Sequence, residues 1–462
     1  MAQFVNRAED LAFLQSEYEK PGASLVIVYG RRRVGKTSLL AEFGKDKRML
    51  YFLATEESEA VNRAQFKDQA AQFTGDALLK DAIIERWPVI FDTLTRYESA
   101  QKILIVMDEF QYIGKSNRAF PSIIQKIWDS SLKNRNIMLV LCGSLVSLME
   151  AQTLSYDSPL YGRRTGQIKL KPIPFSHYHE FYPEKNLKEL VAYYSVTGGV
   201  PKYIELFRDE GDIYAAIERH VLSARSFLYE EPVFLLQREV TEIGSYFSLI
   251  RAIAAGNQKM GTIASVMGVK QTGLTRYLRT LIDLDILERQ TPVTEENPEK
   301  SKKGLYRIKD HFIDFWFKFV YPERSAIETG HAEQAARRIR NELISRHTAY
   351  VYEEVCRQRF WQFAEEKGFS GRFNKVGRWW DNRQEIDIVA LDSLGEDIFF
   401  GECKHSNEPM DTNVFYALNE KKKAAPWKRD ARREHFVFFS ISGYTSQMKE
   451  LAENRADVFL FE

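Results

Sequence analysis

A chain of 462 residues, 44% of them apolar and 28% charged, is too long for one ordinary core and too apolar to stay disordered, so two to four folded domains are expected. Its 65 basic and 64 acidic residues leave a net charge of +1, which excludes a chain-wide attractive field for phosphate; nucleic-acid contact has to come from local patches. Three widely spaced cysteines, Cys142, Cys356 and Cys403, argue against a disulfide scaffold or a zinc site and for a reducing compartment.

To about residue 170, short apolar runs at 25–29, 49–53, 103–107 and 137–142 alternate with amphipathic stretches such as 60–73. That pattern predicts an α/β domain whose strands are covered on both faces in a parallel sheet. Strand signals fade over residues 175–240, where helical patterns surround Thr197-Gly198-Gly199-Val200-Pro201, and an all-helical lid is expected there. Residues 245–310 carry three helical patterns, a polar loop and a short strand at 304–308, which together predict a winged helix. After a bridging helical region, α/β patterning returns beyond Phe373 with a hairpin over 385–404. The expected partition is 1–172, 173–240, 241–325 and 326–462, with no internal repeat. The N-terminal stretch shows no basic-then-apolar signal and the apolar runs are shorter than a membrane span, so a cytoplasmic location without membrane contact is expected.

The most specific motif is Gly30-Arg31-Arg32-Arg33-Val34-Gly35-Lys36-Thr37, which follows an apolar strand and opens a helical run at Ser38. This is the phosphate-binding loop pattern. Its glycines allow backbone N–H groups to converge on a phosphate, Lys36 neutralises the β/γ oxygens, and the Thr37 hydroxyl can ligate Mg²⁺. The strand at 103–107 ends in Asp108 and Glu109, suited to holding the metal of a Mg²⁺·ATP substrate and to polarising the attacking water. Ser144, after the strand at 137–142, stands either beside the γ-phosphate as a sensor or in an ordinary strand-to-helix turn. Arg163 and Arg164 supply guanidinium forks, either as an arginine finger within the chain or across a homo-oligomer, or as salt-bridge residues.

These segments, together with DEFQY, CGSL, PLYGRR and TGGVPKY, resemble the prokaryotic AAA+/STAND-like ATPases that carry a DUF234 region, over nearly the whole chain. The resemblance implies an ATPase core, a helical lid, a winged helix and a domain similar to PD-(D/E)xK nucleases. It also implies that Gly198, Gly199 and Pro201 form a nucleotide-sensing turn, where the plain alternative is a helix breaker.

In the expected winged helix Thr272, Thr275, Arg276 and Arg279 face outward, with Lys302, Lys303 and Arg307 on the wing. This surface suits DNA phosphates, unless the module serves only as an internal switch. In the tail, the period of two gives Glu385 and Asp387 a shared face on their strand and Glu402 and Lys404 a shared face on theirs, and a hairpin brings Asp387 to Glu402. Two such carboxylates form a hard-oxygen Mg²⁺ site, and Lys404 can orient or deprotonate water for attack on phosphorus. This resembles the D-x(n)-E-x-K core of those nucleases, with Glu353 rather than Glu354 as an added helical acid; the alternative is a hairpin with a polar solvent face. Arg378, Trp379 and Trp380, with Lys421, Lys422, Lys423, Lys428, Arg429, Arg432 and Arg433, are candidates for a strand-binding channel, though Trp380 equally suits a core. The favoured function is ATP-regulated DNA binding or cleavage. A signalling switch with an inactive nuclease-like platform is the rival, and a small-nucleotide kinase is disfavoured for want of an arginine-rich acceptor lid.

Overall fold

The computed structural model describes residues 4–369, 371–392 and 394–461; the first three residues of the N-terminal stretch and Ser393 of the predicted hairpin turn lie outside them. The chain forms two compact units. One comprises the residues up to Ile173 with Val200–Lys202 and Leu235–Thr241, and the other comprises Pro174–Gly199, Tyr203–Phe234 and the residues from Glu242 on.

The first unit is built on strands β1 (Ser24–Tyr29), β2 (Met49–Leu53), β3 (Ile103–Asp108), β4 (Ile137–Gly143) and β5 (Gly166–Lys169), in the order β2-β3-β4-β1-β5 and parallel throughout. Every residue of β1, β3 and β4 is buried, which requires cover on both faces. On one face Val26, Val28, Val106 and Val140 pack against Leu39, Leu40 and Phe43 of helix Lys36–Gly44. Elsewhere an aromatic cluster gathers, with Phe66 5.3 Å from Phe52 and 5.2 Å from Phe91, and Trp87 4.9 Å from Phe120 between ring centroids. The four strands read from hydrophobic runs lie within a residue of their expected ends; β5, four residues with a leading glycine and two polar side chains, carries too little pattern to be seen.

In the second unit, helices Ile243–Ala254, Met260–Met267 and Gln271–Asp283 precede an antiparallel pair, β6 (Leu287–Gln290) and β7 (Leu305–Ile308). The segment after β6 docks on the C-terminal sheet, where Val293 N–H donates to the Arg378 carbonyl at 2.9 Å. That sheet comprises β8 (Lys375–Trp380), β9 (Glu385–Leu391), β10 (Asp397–Lys404), β11 (Arg433–Ser440) and β12 (Val458–Phe461), in the order β12-β11-β10-β9-β8. The β8-β9-β10 pairings are antiparallel and the β10-β11-β12 pairings parallel. The alternation of β10 sends Phe399 to Phe360 and Phe363 of helix Ala349–Glu366, and Phe400 into the opposite core with Phe415 and Phe436. Gly401 leaves room in this packing, because a Cβ there would meet Ile388 Cβ at 2.9 Å. Among the described residues no helix is long and apolar enough to cross a membrane.

Candidate nucleotide site and carboxylate site

The loop from Gly30 to Thr37 joins the end of β1 to helix Lys36–Gly44, where its geometry is specialised. Gly30, Arg33 and Gly35 have φ of 151°, 71° and 95°. A side chain at Gly30 would put Cβ 2.4 Å from the Leu170 carbonyl oxygen, so only glycine fits that approach. Lys36 is buried, and its Nζ donates to the Gly30 and Arg31 carbonyls at 2.8 and 2.9 Å. Burial pushes its amine below the ordinary lysine range, while Glu109 and Asp108 pull it back up.

β3 delivers the acids to the same end of the sheet. Thr37 Oγ1 donates to Asp108 Oδ2 at 3.2 Å, the Tyr51 hydroxyl donates to that oxygen as well, and Asp108 Oδ1 accepts from the Glu109 N–H at 2.8 Å. Glu109 has a left-handed φ of 53°, a conformation a non-glycine residue adopts at some energetic cost and one typical of functional positions. Ser144 Oγ lies 2.8 and 2.7 Å from its two carboxylate oxygens, and Gln111 Nε2 donates to it as well. The fold thus ties Ser144 to the acid. Of the two arginines, Arg163 pairs with Asp129 at 3.1 Å, matching the salt-bridge alternative. Arg164 donates to the Tyr161 carbonyl at 2.9 Å and lies over the Tyr161 ring, among its own loop neighbours.

Sequence reasoning missed several residues here. Arg7, buried just ahead of the first helix, donates to the Val34 carbonyl at 2.9 Å and the Lys171 carbonyl at 2.8 Å, bracing the loop from behind. Tyr112 accepts from Arg32 at 2.6 Å and from Arg238 at 3.1 Å, and Arg238 also reaches Glu56 at 2.8 Å. An arginine so distant in sequence leaves no local signal.

Asp387 and Glu402, on neighbouring strands β9 and β10, are both buried. Asp387 Oδ2 accepts the Cys403 N–H at 3.0 Å. Lys404 Nζ is 3.4 Å from Glu402 Oε1, and Lys421 Nζ is 3.2 and 3.3 Å from the two Glu402 oxygens. Burial, and then the charge of Asp387, raises the Glu402 pKa. The same two causes push Glu353 up to about 7. Glu354 instead holds His311 at 3.1 Å. Two carboxylates at close quarters, with a lysine beside them, suit a divalent cation; among the described residues no group of three or more His, Cys, Asp or Glu is arranged to hold one.

Arg307 lies on β7 and is half-buried; burial, and then the charge of Arg378, lowers its pKa. The basic run finds partners within the fold. Lys422 binds Glu434 at 2.5 Å, Lys423 binds Glu420 at 2.6 Å, Lys428 reaches the Gly395 carbonyl at 2.5 Å, Arg429 caps the Ala424 carbonyl at 2.8 Å, and Arg432 and Arg433 engage Glu434 and Asp397 at 2.9 and 3.0 Å. Lys423, Lys428, Arg429 and Arg433 nonetheless stay exposed. Trp379 belongs to the core, whereas Thr272, Thr275, Arg276, Arg279, Lys302 and Lys303 are exposed as expected.

Comparison with known proteins agrees with this layout. Residues 4–207 match the family of ATPase domains found predominantly in Archaea, and residues 316–423 match DUF234, a family of archaeal and bacterial proteins of unknown function. An uncharacterized protein of Methanocaldococcus jannaschii is 35% identical over 460 residues, 99% of each chain. An uncharacterized ATP-binding protein of that organism is 47% identical over 49 residues, 11% of this chain and 83% of its own. The Walker-type ATPase of Pyrococcus abyssi shares the fold at 20% identity with a TM-score of 0.50, covering 68% of this chain and 96% of that one. The chain belongs to the family of archaeal-type, ATP-hydrolysing proteins in which the ATPase domain is followed by a DUF234 region.

Proposed function

We propose that this ATPase controls a divalent-metal-dependent DNA nuclease carried in its own C-terminal region. The observation that carries the reading is the meeting of buried Asp387 and Glu402 on adjacent strands with Lys404 beside them. Burying two carboxylates together is costly unless a cation compensates them.

In the ATPase cycle, Lys36 binds the β/γ-phosphates, and the backbone N–H groups of residues 30–38 cradle them. Thr37 and Asp108, already hydrogen-bonded to each other at 3.2 Å, hold Mg²⁺. The ion neutralises charge developing on the phosphates. Glu109 accepts a proton from the attacking water, with Ser144 and Gln111 fixing its orientation. Arg164 serves as a finger only if a second copy or a rearranged loop brings it to the nucleotide.

In the tail, Asp387 and Glu402 would hold the second cation, which when bound would supply a Lewis acid for water and phosphate. Lys404 positions that water. The helices from Ile243 to Asp283 with β6 and β7 are read as a winged helix whose Arg276 and Arg279 meet DNA phosphates, and the α/β region beyond Ala349 as nuclease-like. We keep the partition at about residues 172, 240 and 325, and a cytoplasmic location.

The test is cleavage of single- and double-stranded DNA by the full chain with Mg²⁺ or Mn²⁺, with and without ATP. Metal-dependent cleavage lost in Asp387→Ala supports the reading, and cleavage that persists in that variant refutes it. A second reading, a signalling switch with an inactive nuclease-like platform, is favoured by Lys421, which already neutralises Glu402. It requires ATP hydrolysis with no cleavage under any metal.

A further inference from the structure

Within the second unit lies a cavity of about 900 Å³, lined among others by Arg357, Gln358, Trp361, Arg378, Trp380 and Gln290. Its volume lies in the range of about 300–1,000 Å³ that encloses a ligand of nucleotide size. The lining is not a plain apolar groove. Arg378 is only 4% exposed; its Nη2 pairs with Glu385 at 2.8 Å, while its Nε, 3.6 Å from Glu353, has no hydrogen-bond partner. Gln290 Oε1 is likewise buried without a partner. Trp361 stands 49% exposed and Trp380 lies at 9%, so one indole is open and one is fixed in the wall.

The two acids that line the cavity, Glu288 and Glu354, have partners of their own, and the acids paired with Arg378 and Arg357 are Glu385 and Glu353. Glu354 is engaged by His311 at 3.1 Å, and Glu288 accepts from the Gln290 amide. Arg357 links the cavity to the proposed cleavage site, since its Nη1 donates to the Asp387 carbonyl at 3.4 Å and lies 3.9 Å from Glu353.

Guanidinium groups beside indoles and side-chain amides match the three parts of one nucleotide, namely the phosphate, the base face and the base edge. Both indoles flank space for a base, whose edge is free for the amides only when the base is unpaired. We infer that the cavity holds one unpaired nucleotide of single-stranded DNA next to the phosphodiester at Asp387 and Glu402. Arg357 and Arg378 take its phosphate, and Trp361 and Trp380 take its base. This rests on the nuclease reading for its position along the strand, though not for its binding chemistry.

The test measures anisotropy of a fluorescent oligothymidylate titrated with the full chain in EDTA, where no cleavage occurs. Trp361→Ala is expected to weaken single-strand binding about tenfold and to leave a duplex of the same length unaffected. Arg357→Gln is expected to weaken it also and to reduce the slope of log K against log salt by about 0.7. Both positions are solvent-accessible enough to substitute, and circular dichroism melts confirm folding. If both variants bind the oligonucleotide as wild type does, the inference is overturned. If thymidine monophosphate alone competes as well as the oligonucleotide, the nucleotide chemistry stands and a free nucleotide replaces the strand. A Trp361→Ala defect in EDTA, in a protein that cleaves nothing with metal, would sink the nuclease reading while leaving this one intact.

Discussion

Replacing Ser144 by Ala separates two roles that the sequence left open for this side chain. Its hydroxyl is 2.8 and 2.7 Å from the two Glu109 oxygens, and Gln111 supplies the other donor to that carboxylate. A hydrogen bond to a charged group is worth about 1.5–3 kcal/mol. Because Gln111 remains, the lower end applies, and the loss of orientation is expected to lower kcat roughly tenfold with KM for ATP little changed. Glu109→Gln removes the base itself and is expected to slow turnover by about 10²–10⁴ while nucleotide binding persists. If Ser144 acts only through Glu109, the double variant is no slower than Glu109→Gln alone, since two members of one unit are not additive. Steady-state ATPase rates of the four proteins close the cycle. A further tenfold loss in the double variant would refute the reasoning and return Ser144 to a direct contact with the nucleotide.

Lys36→Ala is expected to abolish measurable ATP hydrolysis, read by phosphate release, because the loop loses the cation that meets the β/γ-phosphates. Asp387→Ala and Glu402→Ala are expected to lose both metal binding, by calorimetry with Mn²⁺, and DNA cleavage, whereas Lys404→Ala keeps the metal and loses most turnover. Gly401→Ala is expected to destabilise the C-terminal sheet by about 1–3 kcal/mol, seen as a lower urea midpoint, because its Cβ would meet Ile388 at 2.9 Å and Val437 at 3.0 Å. Arg276→Glu with Arg279→Glu is expected to weaken duplex binding for all sequences and flatten its salt dependence, and an unchanged affinity would favour an internal switch.

What the sequence made legible were features with strong local periodicity or fixed spacing. Uninterrupted apolar runs marked β1, β3 and β4 because strands covered on both faces admit no polar alternation. The loop at Gly30 was legible because its backbone demands glycine where φ is positive. Charge partners were illegible. The basic run from Lys421 to Arg433 carries no sequence sign of its carboxylate and carbonyl partners, Glu434, Asp397 and Gly395, which the fold brings in. Arg7 and Arg238 were missed for the same reason: each contacts atoms far away in the chain, and no spacing rule encodes that.

The two candidate sites solve the problem of a buried carboxylate by the same local device. In each, an acid at or near a strand end accepts a main-chain N–H, Asp108 from Glu109 and Asp387 from Cys403, so one oxygen is satisfied by the fold itself. They differ in what meets the remaining charge. Around Asp108 the neighbours are a threonine and a tyrosine hydroxyl, neutral donors that can turn away when a cation arrives. Around Asp387 and Glu402 the neighbours are charged, with Lys404 and Lys421 on one side and the Glu353–Arg378–Arg357 cluster on the other. A divalent ion entering there has to displace or repel Lys421 as well as shed water, so its affinity depends on where the helix Thr412–Lys421 holds that ammonium. Lys421→Met is therefore expected to tighten Mn²⁺ binding at Glu402 if the cation reading holds. In the inactive-platform reading Lys421 is the permanent counter-ion, and the same change leaves an unpaired buried acid and no metal site. Calorimetry with Mn²⁺ on that single variant separates the two.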